Sequence, residues 1–186
     1  MLTISGLFAR KSDRKAGLDL YEHIRNQARN PVFYTDYTVS DSLDGRFDIL
    51  VLHLFLVLNR FSKEEQEHPV LRCLSDRLID DLDAALREMG VGDLSVPKKI
   101  KKFAKAALGR LEAYHASFSS DSGADFENAL ARNVYRTDRA PDGAAVALAA
   151  YCRSAAAFLS TQDRETVLSG SVAFPEPAPL QQPVAS

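Results

Sequence analysis

One amphipathic segment, which ends at Phe118, does most to limit what this chain can fold into. Its apolar residues recur with the period of an α-helix and fall on one face: Ile100, Phe103, Ala104, Ala107, Leu111, Tyr114 and Phe118. Lysines occupy the opposite face: Lys98, Lys101, Lys102 and Lys105. A helix with one apolar face must bury that face against other elements, so the segment predicts a helical layer over a shared core.

The same periodicity predicts five further helices, and no alternating pattern of comparable length competes with them. The predicted helices run from Asp13 to just before Pro31, Arg46 to Phe61, about Pro69 to Met89, Ser95 through Phe118, Phe126 through Val134, and Ala144 to Leu159. The second is apolar almost all round, which predicts a central position. The fold class is therefore all-α, a single-domain helical bundle of about six helices.

The two ends of the chain differ in composition. Residues 1–170 are expected to form the helical domain, and residues 171–186, which carry four prolines, a Pro-rich extended or disordered tail. The N-terminal stretch lacks the apolar run of a secretory signal. The longest apolar run, Ile49 to Leu58, has ten residues, whereas a spanning helix needs about 20. Together with two lone cysteines, Cys73 and Cys152, these features predict a soluble protein of a reducing compartment.

A cluster of lysines at the start of the amphipathic helix is the main candidate binding site. Gly90 and Gly92 are expected to stop the preceding helix, and Ser95 to cap the next one. Positive charge near a helix N-terminus is unfavourable by about 0.3–1 kcal/mol per residue, so an anionic partner is one explanation for the cluster. RNA phosphate, lipid headgroups and an acidic protein would all fit, and a merely solvated face is the alternative. The candidate residues are Lys98, Lys99, Lys101, Lys102 and Lys105.

Three aromatic residues in the connection after the first helix form a second candidate: Phe33, Tyr34 and Tyr37. Either they plug one end of the bundle, or they line a groove for an apolar segment of a partner. The sequence leaves both alternatives open.

Enzymatic chemistry finds little support in the sequence. Two Glu-x-x-His sequences, Glu65 to His68 and Glu112 to His115, are reminiscent of di-iron bundles, but the first precedes Pro69 and the second lies beside the lysines. No suitably buried carboxylate is expected on the second and fifth helices, because Asp48 and Glu127 lie near helix ends. A lone His53 in an apolar run favours a hydrogen-bonded core residue over a haem ligand. With no nucleophile or phosphate-loop motif, we predict no catalytic residue, no cofactor and no small-molecule substrate.

Several sequence blocks together resemble the ubiquinol–cytochrome c chaperone family. The likeness extends from about Gly6 to about Phe174. The blocks are Pro31–Tyr34, Leu43–Asp48, Leu52–His53, Met89–Lys99 and Ala129–Tyr135. Their order and spacing, more than any single block, carry the resemblance.

The resemblance implies an assembly factor for ubiquinol–cytochrome c reductase that binds newly made cytochrome b without catalysis. Mitochondrial members of the family work with a small partner protein near the exit of the ribosome. This chain has no clear presequence, so we expect a bacterial form in the cytoplasm, or peripheral at the inner face of the inner membrane. Its expected partners are a protein client and a ribosome or anionic membrane surface, with no DNA. The rival readings are a di-iron or haem enzyme and a general basic module for RNA or membranes.

Overall fold

A single apolar helix, α3 (Leu43–Leu58), forms the centre of the bundle. The computed structural model describes residues 4–120, 122–136 and 143–179, with side chains from residue 11 onward. Within α3 the side chains from Phe47 to Val57 are buried except Leu50. Helices α1 (Ile4–Ala28), α5 (Val96–Phe118) and α7 (Ala144–Thr161) pack against it. The predicted central position of this helix is confirmed.

The remaining elements complete an all-α fold over the described residues. They are α2 (Val32–Thr35), a 3₁₀ turn (Glu65–Glu67), α4 (Pro69–Glu88), α6 (Gly123–Leu130), a π-helical turn (Ala131–Tyr135) and α8 (Arg164–Leu168). Helix α4 packs along α1, and α6 lies between α5 and α7. The predicted fold class is thus confirmed.

Several predicted boundaries were wrong. The first helix begins at Ile4, so Asp13 is an interior residue and not a cap. The central helix begins three residues before Arg46, because the side chain of Ser42 accepts a hydrogen bond from the Gly45 amide and caps it. The short α2 and α8 were missed because one or two turns carry no readable period. The residue types of Pro141 and Gly143 predict a break before the last helix. Gly143 stands at the N-cap of α7, and Pro141 lies outside the described residues.

The junction between α4 and α5 is a well-formed helix stop followed by an open helix start. Gly90 adopts the left-handed conformation (φ 77°), as predicted. The Val91 amide donates to Leu86 O and the Gly90 amide to Arg87 O, which is the Schellman pattern. Ser95 stands at the N-cap of α5 as expected, but its side chain makes no capping hydrogen bond.

The segment 171–179 lies extended along the bundle and is anchored to it. Val172 and Pro177 are buried, and the Phe174 ring packs on His53 at 5.4 Å between centroids. The Asn30 side-chain amide donates to the Glu176 carboxylate at 3.2 Å. The first part of the predicted tail is therefore extended and attached, while residues 180–186 lie outside the described residues.

Among the described residues, one helix is long and apolar enough to cross a membrane. This is α7, and nearly half of it is buried inside the bundle. Its buried residues include Leu148 and Cys152, and it packs against α3 and α6, which is the environment of a core helix.

Candidate partner-binding surface

Helix α5 separates its apolar and cationic residues as predicted. Its buried side is anchored by Val96, Ala107 and Tyr114, and the Phe103 ring meets Phe47 of α3 edge-to-face at 4.9 Å between centroids. All five lysines are exposed: Lys98, Lys99, Lys101, Lys102 and Lys105. We call these five residues the lysine ridge.

None of the five lysines of the ridge lies within ion-pair distance of a carboxylate in the described part of the chain. The arginines of α4, in contrast, form ion pairs with nearby aspartates. Arg77 lies 3.0 Å from Asp80 and 3.9 Å from Asp81, and Arg87 binds both Asp83 and Asp93. The i,i+4 spacing of Arg77 with Asp81 and of Asp83 with Arg87 predicts these salt bridges from the sequence, and both are confirmed. The ridge therefore presents uncompensated positive charge at the N-terminal end of a helix, where the backbone amides add to it.

The three candidate aromatic residues divide between the core and a groove. Phe33 is wholly buried and Tyr37 nearly so, and the Phe33 ring meets Tyr151 edge-to-face at 5.0 Å between centroids. These two residues close the end of the bundle and present no surface to a partner in this conformation. Tyr34 is half-buried and donates a hydrogen bond to Ala28 O at 2.8 Å, and burial raises its pKa to about 12.

Tyr34 also lines a groove of about 320 Å³ between α1, α3 and α4. Its lining is mixed. Phe47, Leu50 and Leu82 are apolar, whereas Arg29 and Asp81 carry charge. The groove could not be predicted from the sequence, because its lining comes from four separate helices, α1 to α4. Of the two alternatives for the aromatic residues, packing describes Phe33 and Tyr37, and a groove lining describes Tyr34.

His53 sits in a saturated hydrogen-bond network. Its Nδ1 donates to Ile49 O at 2.8 Å, and its Nε2 accepts from the Tyr151 hydroxyl at 2.9 Å. The Gln27 side-chain amide donates in turn to the Tyr151 oxygen and to Pro175 O. Burial lowers the pKa of His53 to about 4, so the imidazole is neutral. Since both ring nitrogens are engaged, the expectation of a hydrogen-bonded core histidine is confirmed.

Asp48 corrects the sequence analysis, which expected no buried carboxylate on α3. It is wholly buried, with Arg110 at 2.8 Å from one carboxylate oxygen and Arg136 at 2.9 Å from the other. Burial raises the pKa of Asp48 to about 6 although both guanidinium groups oppose the shift. Arg136 also binds Asp44 and adopts a left-handed backbone (φ 57°). We call Asp48, Arg110 and Arg136 the buried ion cluster; it ties α3, α5 and the end of the π-helical turn together.

The Glu-x-x-His sequences have local structural tasks. The Glu65 carboxylate pairs with Arg164, and His68 Nδ1 accepts from the Val70 amide at the start of α4. His115 contacts Asn59 Oδ1 at 3.2 Å. No group of three potential metal ligands occurs among the residues that the structure describes.

Comparison with known proteins places this architecture in a family. The family model described as ubiquinol-cytochrome C chaperone matches residues 35–174. This chain belongs to the ubiquinol–cytochrome c chaperone family. A crystal structure of the Cbp3 homolog from Brucella abortus is similar to it, with 32% identity, a TM-score of 0.78, and coverage of 94% of this chain and 97% of that one. No curated protein sequence matches the chain.

The residues matched by the chaperone-family model include both the buried ion cluster and the lysine ridge. The match begins inside α2 and ends at Phe174, which packs on His53. A role as a ubiquinol–cytochrome c chaperone implies a protein client.

Proposed function

We propose that this chain is a non-catalytic assembly factor for ubiquinol–cytochrome c reductase, with newly made cytochrome b or a partner of it as client. The observation that carries the proposal is the family match over residues 35–174. It is supported by the similarity to a Cbp3 homolog, which extends over nearly the whole of both chains. Membership of the family gives the general role, a chaperone for this complex. The identity of the client is what we propose.

The distribution of polar groups agrees with a holding role. Asp48 and His53, which are buried, bind neighbouring groups inside the fold. These polar groups therefore stabilise the structure. The lysine ridge, in contrast, carries charge that has no acidic partner among the described residues. In the proposed mechanism the ridge contacts an anionic surface. Such a contact weakens as salt rises. We place this activity in the cytoplasm or at the inner face of the inner membrane.

Deletion of the gene tests the role. Cells without the chain should contain less assembled ubiquinol–cytochrome c reductase, measured as cytochrome b absorbance and ubiquinol oxidation in isolated membranes, and re-expression should restore both. A tagged chain should co-purify newly labelled cytochrome b. Normal complex levels in the deletion strain would overturn the proposed function.

Charge reversal of the ridge tests its part in the mechanism. The variant carries Lys98→Glu, Lys101→Glu, Lys102→Glu and Lys105→Glu, and the matched control carries Lys11→Glu, Lys15→Glu, Lys63→Glu and Arg72→Glu. Both sets change the same charge at exposed positions. The ridge variant should lose about tenfold or more in capture of cytochrome b, with unchanged helix content by circular dichroism. Equal capture by the two variants would remove the ridge from the mechanism.

A further inference from the structure

The exposed face of α5 and the turn that leads into it carry large apolar side chains as well as lysines. Leu94, in the turn before the helix, is 98% exposed, and Leu108 is 63% exposed. Met89, at the end of α4, is 64% exposed. Together they make up three of the five exposed large apolar residues among the described side chains, the others being Val146 and Phe158 on α7. Leu94 and Leu108 bracket the exposed lysines in the sequence, which makes this side of α5 a candidate interaction surface.

Helical spacing places both leucines in line with the lysines. The turn before α5 already follows the helical path, since the Val96 amide donates to Gly92 O and the Lys99 amide to Ser95 O. Residues at intervals of three and four then form one stripe. In order, the stripe contains Leu94, Lys98, Lys101, Lys105 and Leu108. It is about 21 Å long, from a rise of about 1.5 Å per residue, with a leucine at each end and three lysines between.

We propose that this stripe docks the protein on an anionic lipid surface, with Leu94 and Leu108 entering the apolar boundary and the lysines contacting headgroup phosphates. Interfacial helices combine these two groups in this way. The lysine stems can extend along the boundary while the ammonium groups stay at the headgroups. The proposal rests on the proposed function for its purpose, because a factor that serves a membrane subunit is useful where that subunit inserts.

The acidic residues nearest the stripe leave its charge intact. Asp93 is engaged by Arg87, and Glu112 lies one turn beyond Leu108, outside the lysine section. Attraction to an anionic surface is therefore not cancelled locally.

The side chains on the stripe favour lipid over RNA. Proteins that bind single-stranded RNA stack bases on aromatic or arginine side chains, and the stripe carries neither type. Exposed leucines add nothing to a phosphate backbone, whereas a bilayer boundary gains from burying them. The side of a helix is convex, so a flat and deformable bilayer can meet the whole stripe at once.

Vesicle binding by the purified full chain tests the proposal. The probes are phosphatidylcholine vesicles with and without phosphatidylglycerol, separated by sedimentation at two salt concentrations. The protein should bind only the anionic vesicles, and less at high salt. Lys98→Gln/Lys101→Gln/Lys105→Gln should weaken binding about fivefold per lysine removed. Leu94→Ser/Leu108→Ser should weaken it about tenfold or more while keeping every charge.

Matched controls separate the stripe from general charge and stickiness. Lys11→Gln/Lys63→Gln/Arg72→Gln removes the same charge elsewhere, and Val146→Ser/Phe158→Ser removes exposed apolar groups from α7. Both controls should bind anionic vesicles as the wild type does. Circular dichroism and urea unfolding check that each variant is folded.

The leucine variant decides the result. If it binds anionic vesicles as tightly as the wild type, the proposal is overturned. The proposal is also overturned if the wild type binds ribosomal RNA but not vesicles, or an acidic protein but not vesicles. No cytochrome b enters this assay, so its failure leaves the proposed function standing. Conversely, normal complex assembly in the deletion strain would overturn the function and leave vesicle binding untouched.

Discussion

The interior of the bundle and the lysine ridge differ in whether their charged and polar side chains have partners within the protein. Inside, Asp48 is held by two guanidinium groups, and both nitrogens of His53 have partners. On the ridge, five lysines stand exposed without an acidic partner among the described residues. A buried charge without a partner would be strongly destabilising, so the charged groups of the interior need partners inside the fold. An exposed group loses little stability by remaining unpaired, so the ridge can be kept available for another molecule.

The largest effect is expected in the buried ion cluster. Asp48→Ala should lower the free energy of unfolding by about 3 kcal/mol or more, because Arg110 is left charged and mostly buried. The control, Asp44→Ala, removes a half-exposed partner of the same Arg136 and should lower it by less than about 1 kcal/mol. Urea unfolding of the three proteins measures both. Equal losses in the two variants would mean that burial does not distinguish the two carboxylates.

The pH dependence of stability should show the second effect. The pKa of His53 falls from 6.5 to about 4 on folding, so the unfolded chain binds more protons between these values and stability is lost as pH falls through that window. The loss amounts to about 3 kcal/mol between pH 7 and 4.

Comparison of the wild type with His53→Gln isolates this term. The raised pKa of Asp48 acts with the opposite sign in the same window, and it cancels in the difference between the two proteins. Urea unfolding at several pH values should show a steeper acid loss in the wild type. Parallel pH profiles would show that His53 does not titrate as its burial requires.

The ridge should show the smallest effect on stability, and in the opposite direction. Lys98 occupies the third position of α5, three residues after Ser95. Lys98→Glu replaces a charge that the helix dipole opposes by one that it favours. The free energy of unfolding should rise by about 0.5–1 kcal/mol.

Lys105→Glu, two turns further along, serves as the control and should change stability little, because the dipole effect fades after the first turn. The midpoint of urea unfolding measures both variants. A loss of stability in Lys98→Glu would contradict the view that Lys98 is kept for binding at the expense of the helix.

Features that depend on local period were predictable from the sequence, and features that depend on distant contacts were not. The amphipathic pattern of α5 and the apolar run of α3 predicted the bundle, its centre and the exposed lysines. Asp48 was misjudged because it lies near a helix start, where carboxylates are usually solvated. Its burial depends on Arg136, which is 88 residues away. The groove beside Tyr34 was missed for the same reason, since four helices contribute its lining.

The buried ion cluster also has a consequence for the order of folding. Asp48 emerges from the ribosome long before Arg136, and until that residue arrives its carboxylate must stay hydrated. Contacts between residues so distant in the chain close slowly, so α3 cannot complete its burial before α5 and the end of the π-helical turn have docked. If α5 docked in the wrong position, the Asp48 carboxylate would be buried without Arg110 as its partner. The cluster therefore disfavours any packing of the helices that separates Asp48 from its two arginines.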